Sequence, residues 1–172
     1  MTTYISCMTY QPVDRRRFLA LTGMGAAATT LMACGARSAA AAEHFPVTKT
    51  DAQWRAQLGP AAYQVLREEG TERPYSSPLN NEHRAGVFAC KGCAHPLYSS
   101  RTKFESGTGW PSFWAPLKGA VATRRDSTLG MVRTEVHCPR CGGHLGHVFD
   151  DGPKPTGLRY CMNGVAMTFR PA

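Results

Sequence analysis

Four of the seven cysteines stand in two C-x-x-C pairs, Cys90-Lys91-Gly92-Cys93 and Cys138-Pro139-Arg140-Cys141. Two sulfurs on one tight turn meet a metal together at roughly 2.3 Å, and two such turns supply a closed tetrahedral thiolate set. With no open coordination position, a zinc ion held there is structural rather than catalytic. The same residues form two disulfides instead if the chain matures in an oxidising compartment. The Gly and Pro between the paired cysteines suit metal-binding knuckles.

A further cysteine, Cys161, lies outside both pairs in Leu158-Arg159-Tyr160-Cys161-Met162-Asn163. The segment reads as a strand, whose period of two places Arg159, Cys161 and Asn163 on one face. A guanidinium beside a thiol favours the nucleophilic thiolate. An amide two positions on can orient a neighbour by hydrogen bonding. A free cysteine is equally often a small buried hydrophobe, and this segment alone leaves both readings open.

Two more segments carry groups suited to chemistry. Ser106-Gly107-Thr108-Gly109-Trp110-Pro111-Ser112-Phe113 sets Trp110 and Phe113 on a loop shaped by Gly and Pro. His144-Leu145-Gly146-His147-Val148-Phe149 follows directly on the second cysteine pair. On a regular strand His144 and His147 face opposite sides, but a turn at Gly146 lets them converge. The bland readings are a loop covering a core edge, and histidines that neighbour a zinc site or build a second one.

Together with Gly70-Thr71-Glu72, these segments occur in the order found in methionine-(R)-sulfoxide reductases. The chain resembles that family from about residue 54 to 169. The resemblance implies a mainly β fold of small, tent-like antiparallel sheets with short N-terminal helices, stapled by a zinc ion on Cys90, Cys93, Cys138 and Cys141. It implies an oxidoreductase that reduces the R epimer of methionine sulfoxide, free or in proteins. In that scheme Cys161 attacks the sulfoxide sulfur and becomes a sulfenic acid. His144 and His147 bind and protonate the oxygen, while Arg159 and Asn163 tune the thiol and hold the network. Trp110 is the wall that receives the ε-methyl group, with Phe113 nearby. Many relatives carry a resolving cysteine where this chain has Thr108. Recycling then falls to an external thioredoxin- or glutaredoxin-like thiol donor. A zinc-ribbon-like binding module and a thiol peroxidase are the competing readings.

These residues need elements to position them. Thr50-Asp51 can cap a helix over 52–58, and Pro60 suits the first turn of a second over 61–69 that Gly70 ends. From 70 to 84 the chain is polar with two prolines and reads as an extended wrapping loop. Strands are expected over 86–89, 96–99, 102–105, 119–125, 131–137, 147–150, 158–162 and 165–170. The stretch 125–130 supplies a hairpin turn. No strand–helix–strand alternation occurs, which argues against a doubly wound nucleotide fold.

The first 42 residues are of another kind. Arg15-Arg16-Arg17-Phe18-Leu19 precedes a weakly apolar, uncharged stretch and resembles a twin-arginine export signal. Cleavage is expected in the alanine run at 39–42. The alternative is a lipoprotein-type cut before Cys34, the one route by which the membrane becomes a partner. The domain is then 43–172, exported or periplasmic and monomeric, with its metal loaded before export. Four arginines against one aspartate in the leader account for three of the eight net positive charges, leaving +5 on the domain. Its basic residues are scattered, without the stripe that marks a nucleic-acid partner.

Overall fold

A computed structural model describes residues 43–172. The expected export segment and both candidate cleavage points, with Cys7 and Cys34, lie outside the described residues.

The first element of the described residues is α1 (Asp51–Glu68), started by a capping box. The Thr50 hydroxyl accepts from the Gln53 amide, and the Gln53 side chain accepts from the Thr50 amide. The two expected helices are two halves of this one element. Gly59 leaves helical geometry at φ 71°, ψ 170°, and Pro60 follows, so the chain kinks without separating. The end also differs from expectation, because the left-handed residue is Glu69 (φ 56°) rather than Gly70. Trp54, Leu58, Ala62, Val65 and Leu66 make the buried face, at the three- and four-residue spacing of a helix packed on a core.

Nine short strands follow: β1 (Gly86–Cys90), β2 (Pro96–Ser99), β3 (Lys103–Phe104), β4 (Ser112–Phe113), β5 (Ala122–Asp126), β6 (Arg133–His137), β7 (His144–Phe149), β8 (Arg159–Met162) and β9 (Met167–Pro171). They form two antiparallel sheets, one ordered β2-β1-β9 and the other β3-β4-β8-β7-β6-β5. Among the described residues the fold is mainly β with one α-helix, as expected save for the helix count. Eight strands were legible, β3 shorter and β7 longer than read. The two-residue β4 was not, because Pro111 and the glycines before it mark a loop. No helix among the described residues is long and apolar enough to cross a membrane.

One apolar core joins the elements. Phe88, Leu97 and Tyr98 from the smaller sheet meet Phe113, Val136, Leu145 and Met162 from the larger one, with the helical face packed against them. Tyr98 stacks on Phe113 at 4.3 Å between ring centroids. α1 is also tied to both cysteine turns. Gln57 donates to the Gly92 carbonyl and Arg67 to the Cys141 carbonyl, each at 2.8 Å. The helix thereby fixes where the two knuckles meet.

Candidate active site

Pairing in the larger sheet determines which side chains share a face. In β7 and β8, His147 stands opposite Cys161 and Phe149 opposite Arg159. On the other side of β8, Ser112 of β4 is opposite Cys161. In β6 and β5, Glu135 pairs with His147 and with Arg124, and Arg133 with Asp126. Period two therefore puts Ser112, Cys161, Arg159, His147, Phe149, Glu135, Arg133, Arg124 and Asp126 on one face. The core side chains occupy the other.

His144 joins the same side through a β-bulge. Between β6 and β7 the register shifts by one, with Val136 opposite Gly146 but His137 opposite His144. Leu145 is the extra residue, buried in the core, and the two histidine rings come within 5.3 Å. Convergence thus comes from a bulge inside a continuous strand rather than from a turn. Gly146 permits it: at φ 153° a Cβ here would collide with the Cys161 carbonyl.

Cys161 lines a pocket of about 140 Å³ with Thr71, Trp110, Arg133, Gly146, His147, Phe149 and Asn163. Burial pushes its thiol up, against the opposing pull of the Thr108 hydroxyl and the Arg159 guanidinium. Arg159 favours the thiolate, as expected, but desolvation is the larger effect. Arg159 is shared in any case, with a bidentate pair to Asp151 at 2.8 and 2.9 Å and its guanidinium 4.5 Å from the Phe149 ring. Thr108 Oγ1 lies 3.8 Å from Cys161 Sγ and is held by Ser106, which also meets Ser112. Asn163 accepts from the Glu72 amide at 3.0 Å and donates to the Leu145 carbonyl at 3.2 Å.

Each histidine has its own carboxylate. His147 Nε2 is 2.8 Å from Asp126 Oδ2, which also takes Arg133 at 2.7 Å. Burial lowers the His147 pKa despite that carboxylate, so the ring is neutral near pH 7. Asp126 is pulled below the usual carboxylate range by Thr128 and then by His147. His144 Nδ1 is 2.7 Å from Glu135 Oε1, and Glu135 is paired in turn with Arg124. His144 lines an adjoining basin with Glu135, Arg124 and Asp126, which shares Thr71, Arg133 and His147 with the cysteine pocket.

The two knuckles come together away from this face. The four sulfurs of Cys90, Cys93, Cys138 and Cys141 lie within 4.8 Å of one another. Cys90 Sγ is 3.7 Å from Cys141 Sγ, and Cys93 Sγ 3.5 Å from Cys138 Sγ. A tetrahedron of radius ~2.3 Å has edges of about 3.8 Å, so the cluster fits one metal ion. None of the four is joined in a disulfide in this structure.

The SelR domain matches residues 58–171. The chain belongs to the SelR-domain family. It is similar to relatives named peptide methionine sulfoxide reductase MsrB. The one from Agrobacterium fabrum is 59% identical, over 73% of this chain and 93% of its own length. That from Thiobacillus denitrificans is 56% identical over 72% and 94%, and that from Leptospira interrogans 48% over 74% and 98%.

Within this SelR domain, Cys161, His147, Asn163 and Trp110 meet at one pocket, with Arg159 beside it and His144 in the adjoining basin. Phe113 does not join them. It is fully buried on the core face, against Phe88 and Tyr98. Strand β4 explains this, because Ser112 pairs with Cys161 and Phe113 must then point the opposite way. The second aromatic wall at the pocket, beside Trp110, is instead Phe149. Sequence reasoning also passed over Asp126, Arg133 and Glu135. The alternation Arg133-Thr134-Glu135-Val136 carried the signal, a half-polar strand whose charged face had to meet something.

Proposed function

We propose that the chain reduces the R epimer of methionine sulfoxide with Cys161 as its nucleophile. Membership of the SelR family supports the reaction, and placement of Cys161 opposite His147 in a pocket with two aromatic walls supports the residue. Balance is simple: Cys161–SH and the sulfoxide R₂S=O give Cys161–SOH and the thioether R₂S. The thiol proton ends on the oxygen, so no proton is taken up or lost. A thiol raised by burial needs a partner to move that proton. His147 is neutral, faces Cys161 across the strand pair, and has Asp126 to stabilise its imidazolium. It takes the proton from sulfur and returns it to the departing oxygen. His144, committed to Glu135, supports this arrangement from the basin. Trp110 and Phe149 bracket the methyl group beside the electron-poor sulfur, and Asn163 orients the site through the Leu145 carbonyl.

The thiolate cluster holds a zinc ion, which supplies folding stability and takes no part in the reaction. The sulfenic acid is reduced by an external thiol donor, since Thr108, 3.8 Å from Cys161, carries no thiol and the other described cysteines belong to the cluster. The substrate is a sulfoxide either free or in a polypeptide, and the protein acts as a monomer exported by its twin-arginine leader. Turnover on the separated sulfoxide epimers and on hydrogen peroxide tests the reaction. Reduction confined to the R epimer is expected. Preference for peroxide would replace it with a thiol peroxidase.

A further inference from the structure

Glu72 lies in the segment between α1 and β1, outside both sheets, yet two residues of the pocket are tied to it. Its carbonyl accepts from Trp110 Nε1 at 3.1 Å, and its amide donates to Asn163 Oδ1 at 3.0 Å. Its carboxylate accepts from the Gly164 amide at 2.5 Å and the Val165 amide at 2.9 Å, just beyond Asn163. The same segment clasps the Trp110 loop further along. Tyr75 donates from its amide to the Gly109 carbonyl and from its hydroxyl to the Gly107 carbonyl, each at 2.7 Å. Asn80 adds a third bond, to Gly109 at 3.0 Å. Tyr75 holds φ 63°, a strained conformation for a residue with a side chain. The carboxylate is half-buried and pays a desolvation cost that its two amide partners do not fully offset. A costly carboxylate and a strained tyrosine on one loop mark a segment built to hold something in place.

We propose that Glu72 is the positioning residue of the methyl-binding wall. Its carboxylate anchors the segment to the amides behind Asn163, and its carbonyl then fixes the Trp110 indole. Glu72 lines a neighbouring groove rather than the Cys161 pocket, so it acts through Trp110 and Asn163. The inference rests on the reading of Trp110 as that wall. A glutamine cannot replace the carboxylate, because one of its two terminal groups would present N–H to an N–H donor.

The test is a double-mutant cycle on kcat/KM for the R sulfoxide, well below each variant's melting temperature and with metal content matched. Glu72→Gln should cost about 10-fold, chiefly by raising KM, as expected of a displaced binding wall. Trp110→Phe keeps an aromatic ring but has no N–H for the Glu72 carbonyl, and should cost a similar factor. If Glu72 acts through Trp110, the pair together should lose little more than either alone. Losses that multiply would overturn the inference, as would a Trp110→Phe enzyme of wild-type kcat/KM if Glu72→Gln does not fold. Trp110→Ala separates the two levels of failure. A full loss of sulfoxide binding there with multiplying losses elsewhere removes only the role of Glu72. Unchanged binding removes the wall itself.

Discussion

In the proposed reaction the central residue is Cys161, whose thiol burial pushes up against the pull of Thr108 and Arg159, and this bears on its neighbours. Alkylation of Cys161 by iodoacetamide reports the thiolate fraction, which grows with pH. Its midpoint should lie above the ordinary thiol value, and Thr108→Val or Arg159→Met should move it higher by removing groups that favour the anion. A midpoint near neutrality would contradict the desolvated thiol. The same logic separates the histidines. His147→Ala should slow the single-turnover reductive step by about 10²–10⁴-fold, and His144→Ala by much less, because His144 lines the basin and not the Cys161 pocket. Equal losses would restore the paired role that the sequence suggested. Cys161, Asn163 and Trp110 were legible because they stand in unusual, closely spaced motifs. Phe113 was misplaced because an aromatic next to a loop tryptophan gives no sign of which face it takes until strand β4 is known.

Among the elements, β7 carries the most. Its bulge turns a three-residue spacing into a same-side pair, and Gly146 permits the close approach of β8 that places His147 opposite Cys161. Gly146→Ala should destabilise the fold by about 2 kcal/mol or more in urea denaturation and lose activity beyond what unfolding accounts for. Wild-type stability would show that the strands part freely at this point. The cysteine knuckles are the other decisive element. Cys138→Ser should lose the bound metal and fold poorly, whereas Cys161→Ser should keep metal and melt cooperatively. Zinc content and thermal melts of the two proteins check both. The knuckles were readable from spacing alone, since C-x-x-C occurs twice. The carboxylates behind the histidines were not, because Asp126 and Glu135 reach the site only through strand pairing between β5, β6 and β7.

At the scale of the whole molecule, the buried polar face links stability to acid. The folded state resists protonating His147, whereas the unfolded chain protonates it at its ordinary value of 6.5. Below that value the unfolded state binds more protons, so stability is complete above it and falls as pH drops through it. Asp126, held low by Thr128 and His147, adds a second loss in the same direction once pH falls below its ordinary 3.8. Urea midpoints should therefore decline from pH 7.5 to pH 4, and His147→Asn should flatten the upper part of that decline. The proposed export is a separate question that rests on residues 1–42. Changing Arg15 and Arg16 to Lys should hold precursor in the cytoplasm, and unchanged export of that variant would remove the twin-arginine reading. The proposed function turns on one chemical event, the transfer of a single oxygen from sulfoxide to Cys161. Mass spectrometry of the protein after one turnover with the R epimer, in the absence of reductant, tests that event most directly. The account predicts one added oxygen on Cys161, trapped by a sulfenic acid-selective nucleophile and absent with the S epimer. A disulfide between Cys161 and another cysteine of the chain, or an unmodified Cys161 after product has formed, would contradict it.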